Sequence, residues 1–295
     1  MRFSKFSDLH YAENRFTDKT IAVTGATGGI GIPLCKELLK RKASLILVDR
    51  NYKKSLELKE TLLKEFCGAK ICNIAADLSS IANVKKAVEE LKKYSIDIFI
   101  HNAGAYSIPR YKSDSGYDNV FTINFISPYY IIKELLPYLC EKQGRVVIMG
   151  SIAHRYSKAN FFDIDFLKCK KASLVYGNAK RFLMFSLYEL FKDKPEMLSV
   201  VHPGITFTGI TNHYHRLIFA LIKYPMKVIF MRPEKACMCA VEGILKSTPY
   251  GYWIGPALFD IWGKMKLKRL KTDRLECEQI GRKAEEIYNE QTKKY

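Results

Sequence analysis

The sequence predicts an α/β fold, a single domain built on a doubly wound parallel sheet of seven strands with helices on both faces. Three observations predict it. Short continuous apolar runs recur along the chain, stretches of helical periodicity separate them, and the first run ends in a cluster of glycines. Continuous apolar strands suit a sheet covered on both faces, and β-α-β-α alternation makes that sheet parallel. The 295 residues are 48% hydrophobic, enough for one sizeable core. No Gly-, Pro- or Ser-rich linker and no internal repeat divides them.

In order, strands are expected over 20–24, 44–49, 70–75, 96–101, 145–150 and 198–202, with a weaker seventh over 252–254. Helices are expected over 30–41, 53–66, 84–93, 120–139, 174–191 and 233–246. In the second helix Leu56, Leu62, Leu63 and Phe66 fall near one face. The expected layout is an N-terminal extension over 1–17, a catalytic domain over 18–262 and a basic helical tail over 263–295. In such a sheet ligands bind beyond the carboxyl ends of the strands, so those ends hold the candidate residues.

The first strand runs into Thr24-Gly25-Ala26-Thr27-Gly28-Gly29-Ile30-Gly31, and a helix follows. Gly25 permits the tight turn, Gly29 lets backbone approach a pyrophosphate, and Gly31 lets helix and strand pack closely. The helix N-terminus offers free N–H groups to phosphate. This is a Rossmann-type dinucleotide site. Asp49 ends the second strand 24 residues after Gly25, where a carboxylate can accept from the adenosine ribose hydroxyls and repel a 2′-phosphate. Arg50 follows it, and an arginine could clamp that phosphate. NAD or NADP is therefore the expected cofactor, with a lean to NAD.

Tyr176 and Lys180 are four residues apart in a helical stretch and share a face. A phenol is a poor base at neutral pH, and a nearby ammonium favours the phenolate. Lys180 can also hydrogen-bond a nicotinamide ribose. Ser151, at the end of strand five, can donate to a substrate oxygen.

These residues occur in a fixed order: TGATGGIG, Asp77-Leu78, Asn102-Ala103-Gly104, Asn124, Ser151, and Tyr176-Gly177-Asn178-Ala179-Lys180. The set resembles the short-chain dehydrogenase/reductase family over about residues 18 to 260. The resemblance implies an NAD(P)-dependent oxidoreductase with a Ser151–Tyr176–Lys180 centre, and Asn124 positioning Lys180 through a water. It places Asp77 near the adenine and lets Asn102, Ala103 and Gly104 turn beneath the cofactor. It sets Pro203, Gly204, Ile205, Thr206 and Thr208 beside the nicotinamide carboxamide. It also favours a homo-oligomer built on the helices over 120–139 and 174–191.

Ser151 and Tyr176 stand 25 residues apart, and the long insert over about 155–171 carries Phe161, Phe162 and Phe166. That feature, with Ser-Ile-Ala-His over 151–154, is similar to the retinol dehydrogenase and WW-domain oxidoreductase branch. It suggests an apolar alcohol or carbonyl substrate. His202 is read as a strand-end histidine with a backbone partner, since Tyr176 already supplies the acid/base.

The net charge is +18, with a dense basic run of Lys264, Lys266, Lys268, Arg269, Lys271 and Arg274, read as a solvated helical face. No finger, RNP or helix-turn-helix pattern supports a nucleic-acid partner. The eight cysteines lack metal-ligand spacing, and no metal is expected. The first twenty residues carry no apolar signal run, which points to a cytoplasmic protein. The stretch 213–231 is apolar, yet Lys223, Pro225 and Lys227 interrupt it. It reads as a lid, within about 205–232, over an apolar pocket. Alternatively, it and the basic tail form a peripheral membrane contact. The rival to catalysis is a dinucleotide-binding sensor or scaffold, against which the retention of Ser151, Tyr176, Lys180 and Asn124 argues.

Overall fold

A computed structural model describes residues 16–156, 158–166, 168–169, 171–205 and 231–294. Its strands are β1 (Thr20–Thr24), β2 (Ser44–Asp49), β3 (Ile71–Ala75), β4 (Ile98–His101), β5 (Arg145–Met149), β6 (Leu198–Val201), β7 (Tyr252–Leu258) and β8 (Trp262–Arg269). The longer helices are α1 (Gly31–Lys40), α2 (Tyr52–Glu65), α3 (Ile81–Lys92), α4 (Ser127–Glu141), α5 (Ala172–Leu190), α6 (Met238–Leu245) and α7 (Arg274–Lys293). The sheet order is β3-β2-β1-β4-β5-β6-β7-β8. The first seven strands pair in parallel, as the alternation predicts, and β8 returns antiparallel to β7.

The sheet buries both faces. Val23, Leu45, Leu47 and Ile100 point into one apolar cluster with Leu34, Leu38 and Val241, while Ile46, Phe99 and Ile148 point into another with Val84, Ile131 and Phe182. Chain order reverses between β1 and β4, and a crevice opens there at the carboxyl ends.

The C-terminal region departs from expectation. The sheet has eight strands rather than seven, and the basic run that we read as helical begins as β8. Lys264, Met265, Lys266, Leu267 and Lys268 alternate charge and apolarity with a period of two, which is the strand period. The charges obscured that pattern. Lysines on an outermost strand also oppose pairing with another chain. The expected boundary at 262 therefore falls inside a hairpin.

The helix α7 does not stand off as a tail. It lies across α4 and α5: Glu285 accepts from Tyr129 Oη and Lys133 Nζ, Tyr288 donates to Glu134 at 2.6 Å, and Arg181 of α5 forms a two-pronged pair with Glu276. An oligomer interface built on α4 and α5 would have to include or displace this helix.

Beneath the β7 hairpin, Trp253 is fully buried. His202 stacks on its ring at 4.7 Å, and His154 meets it edge-on at 5.4 Å. His202 Nε2 bonds the Asp260 carbonyl at 3.1 Å. Burial pushes both histidines down to about 4. They stay neutral in the folded chain, whereas in the unfolded chain they titrate near 6.5. The unfolded state therefore binds more protons between those values, and stability present above about pH 6.5 is lost as pH falls towards 4. Thermal unfolding midpoints measured from pH 7 to pH 4.5 should fall. A His154→Gln/His202→Gln double variant, less stable at pH 7, should lose less over that range. An equal loss would assign the acid sensitivity to other groups.

Candidate active site

The crevice between β1 and β4 has a volume of about 520 Å³ and is bounded by the glycine turn, Val48–Asn51, Lys54, Ala76–Leu78, Asn102–Ile108 in part, and Ile123. Thr24 Oγ1 accepts the backbone N–H groups of Asn102 and Ala103, each at 3.1 Å, and lies 3.0 Å from His101 Nδ1. Asn102 Nδ2 returns two bonds, to the carbonyls of Thr24 and Gly25. Gly25 turns with φ +66°, and a Cβ there would sit 2.9 Å from Ala103 Cα. At Gly31 a Cβ would come within 2.1 Å of the Gly25 carbonyl oxygen. The turn is thus closed against both β4 and α1. Gly28, Gly29 and Ile30 face the crevice, before α1 begins. This cradle, with its backbone laid open, fits a dinucleotide pyrophosphate.

Asp49 behaves differently from expectation. It is 3% exposed, and its Oδ1 accepts from Thr27 N at 3.0 Å and Thr27 Oγ1 at 2.9 Å, while Oδ2 accepts from Ser55 Oγ at 2.9 Å. Three of its roughly four acceptor positions are spent holding the glycine turn and α2. The groups exposed at this end are Arg50, Asn51 and Lys54. Sequence reasoning passed over Asn51 and Lys54 because they lie beyond the strand, at the start of α2. Asp77 lines the crevice, and its Oδ1 accepts from Ser79 N and Oγ. Leu78 lies alongside, its carbonyl receiving Ser127 Oγ at 2.7 Å.

At the other end, Tyr106 lines the crevice and its ring meets Tyr176 edge-on at 5.3 Å. Nothing in its spacing had singled Tyr106 out. Ser151 Oγ accepts Ala153 N at 3.2 Å, and the Ser151 hydroxyl is near enough to Tyr176 to favour its phenolate. Lys180 is 2% exposed, with Nζ 3.0 Å from the Met149 carbonyl and 5.8 Å from the centre of the Tyr176 ring. Asn124 sits in a single π-helical turn, Thr122–Ile126, ahead of α4. Such turns are frequent at functional sites. Its Nδ2 donates to the carbonyls of Val120 and Ala105, and its Oδ1 accepts Ala105 N at 3.2 Å. A Cβ on Gly104 would lie 3.0 Å from Asn124 Oδ1 and 3.6 Å from Lys180 Nζ, so Gly104 leaves the gap where the two side chains converge.

Burial governs the titrations. Tyr176 is pushed up to about 12 by desolvation, which the Ser151 hydroxyl only partly offsets. Lys180 is pushed down to about 8 by burial. We expected the lysine to favour the phenolate. Here desolvation outweighs that help and draws the two groups towards neutrality.

The insert is tied down at several points. The Arg110 guanidinium donates to the carbonyls of Asp165, Phe166 and Cys169 and pairs with Asp118 at 2.8 Å. Asn178 donates to the Ile164 carbonyl, and Glu276 of α7 accepts Ala159 N. Pro203 and Gly204 follow β6, and the Ile205 carbonyl accepts Met231 N at 2.9 Å. Thr206, Thr208 and all but the ends of the expected lid, about 205–232, lie outside the described residues. Among the described residues no cluster of three or more His, Cys, Asp or Glu could hold a metal.

With this geometry in view, comparison with known proteins is decisive. A family model for short chain dehydrogenase matches residues 19–162. Over that stretch the chain is similar to the short-chain dehydrogenase/reductase family, and relatives along most of its length carry dehydrogenase names. It is therefore an oxidoreductase that works with NAD or NADP on CH–OH or C=O groups. Relatives include retinol dehydrogenase 14 of Mus musculus, 27% identical over 77% of this chain and 75% of that protein. Another is the human WW domain-containing oxidoreductase, 27% identical over 70% of this chain and 54% of that protein. In fold it resembles an uncharacterized protein from Mycobacterium paratuberculosis, with a TM-score of 0.72 and 19% identity over 93% of this chain and 94% of that one. A 3-oxoacyl (acyl-carrier-protein) reductase from Agrobacterium tumefaciens, solved with NADP bound, superposes with a TM-score of 0.63 and 19% identity over 84% and 93%.

The hydrogen bonds of Asp49 assign it to the turn rather than to a choice of cofactor. Asp49→Ala strands the buried hydroxyl of Ser55 and the half-buried donors of Thr27, at a cost of about 1–3 kcal/mol. Thermal unfolding should register that loss, and titration should show NADH and NADPH weakening together. A selective gain for NADPH would restore the ribose role.

Proposed function

We propose that this oxidoreductase transfers hydride between a nicotinamide dinucleotide and an apolar alcohol or carbonyl, with Tyr176 as acid/base. The observation that carries the reading is the buried ammonium of Lys180, 5.8 Å from the centre of the Tyr176 ring, with that ring meeting Tyr106 at the end of the crevice. The glycine turn, Asn102, Ala103 and Gly104 would hold the dinucleotide, with Pro203 and Gly204 at the nicotinamide end. The bound cofactor supplies or accepts the hydride.

The chain's own residues do the rest. In the reductive direction Tyr176 Oη, kept protonated by burial, donates its proton to the substrate oxygen, and Ser151 Oγ steadies that oxygen as charge develops on it. In oxidation Tyr176 must first give up its proton, and Lys180 is the group that offsets the resulting charge. Asn124 fixes the backbone at Ala105 and, through the Gly104 gap, the neighbourhood of Lys180 Nζ. For the substrate, the aromatic insert and the relatives named as retinol and WW-domain oxidoreductases support an apolar alcohol or aldehyde.

We further infer a preference for NADP, reversing the lean drawn from Asp49 alone. Asp49 is engaged by Thr27 and Ser55, and the exposed cations Arg50 and Lys54 stand at the adenosine end. A guanidinium is suited to a 2′-phosphate.

Two measurements test these roles. Tyr176→Phe should cut turnover by about a hundred- to ten-thousandfold while fluorescence titration finds cofactor affinity little changed. Near-normal turnover would sink the assignment. Arg50→Ala should weaken NADPH about ten- to a hundredfold relative to NADH, the range of a charge-assisted hydrogen bond. An unchanged ratio would remove Arg50 from the choice.

A further inference from the structure

The β7–β8 hairpin exposes an apolar tip. Leu258 is 57% exposed and Phe259 83%, and Trp262, the cross-strand partner of Leu258, is 37% exposed. A lone exposed leucine needs no explanation, but two large side chains and a tryptophan gathered on one protruding turn do. The turn is held in shape. Phe259 and Asp260 adopt φ of +52° and +59°, a conformation that L-residues seldom take. The Asp260 carboxylate, 6% exposed at its residue, fixes it by pairing with Arg155 at 3.0 Å and with Lys268, and its carbonyl is bonded by His202. The fold thus commits an ion-paired network to a turn that presents Phe259 to the outside.

Behind the tip the charge is positive. Lys264, Lys266, Arg269 and Lys271 are exposed along and just after β8, with Asp273 the one acid between 262 and 274. At about 3.4 Å per strand residue, Lys264 lies roughly 7 Å behind Trp262. An apolar group sunk about 5–10 Å into a bilayer interface leaves cations at that distance level with the headgroups. The row of lysines on the outermost strand opposes pairing with a second copy, and it complements an anionic surface.

We propose that the β7–β8 hairpin docks this protein on an anionic phospholipid bilayer, with Leu258 and Phe259 entering the interface and Lys264 and Lys266 meeting the headgroups. The tip adjoins the substrate side. A Cβ on Gly204 would lie 2.8 Å from the Ile261 carbonyl and 3.2 Å from Pro256. Docking there turns the nicotinamide end towards the lipid phase, so an apolar substrate enters from the membrane. That last step rests on the function proposed above, whereas the docking does not.

The test is co-sedimentation of the full chain with vesicles of phosphatidylcholine containing phosphatidylserine, against vesicles of phosphatidylcholine alone, read without any turnover assay. Binding is expected to the anionic vesicles and to weaken at least tenfold between low and high salt. Leu258→Asp/Phe259→Asp and Lys264→Glu/Lys266→Glu should each reduce it at least tenfold, with the thermal unfolding midpoint unchanged as the control of fold. Wild-type protein that stays in the supernatant, or tip variants that bind as tightly as wild type, would overturn the proposal. So would a concentration-dependent dimer, seen by light scattering and abolished by Leu258→Asp/Phe259→Asp, which would give the tip to a second copy.

Discussion

One hydroxyl sets the site. Thr24 Oγ1 receives two backbone N–H groups from the chain leaving β4 and hydrogen-bonds His101 Nδ1 at 3.0 Å, so the ends of β1 and β4 are fastened where the strand order reverses. The crevice exists because helices leave these two strands towards opposite faces of the sheet. Its width is fixed by the Thr24 bonds and by the bare backbone at Gly25, where no side chain fits against Ala103. The glycine turn, Asp49 beneath it and the Asn102–Gly104 chain opposite it all take their positions from that fastening.

Further along, the chemistry depends on desolvation. Lys180 and Tyr176 share one face of α5, and desolvation keeps the phenol protonated while lowering the lysine to about 8. A phenol and an ammonium in that state exchange influence at close range and are little screened by water. The π-helical turn at Asn124 serves this arrangement. It carries the Asn124 amide, whose oxygen lies beside Gly104 near the lysine.

Much of this could be read from residue order. The six inner strands and their parallel pairing follow from continuous apolar runs, because burial on both faces leaves no room for polar alternation. Gly25, Gly31, Tyr176 and Lys180 were legible for a similar reason, since backbone approach and helical spacing are local properties. What escaped was nonlocal. The role of Asp49 is set by Thr27 and Ser55, which reach it from two other elements. Tyr106 matters only through a ring contact across 70 residues of chain. The strand β8 was hidden because its charges outweighed its period, and α7 because a charged helix gives no sign of what it will cover.

That last helix has a consequence for synthesis. The sheet grows outwards from β4 in chain order, so each later strand meets a finished edge as it emerges. The ligation of α5 does not follow that order. Arg181, beside Lys180 on the site helix, donates to the His154 carbonyl and finds its carboxylate on Glu276, which arrives after all eight strands. On the ribosome the sheet can be assembled while the guanidinium still lacks its counter-ion. The helix that bears Tyr176 thus gains its last brace from a segment that follows all eight strands, so the sheet is a scaffold before the site is complete.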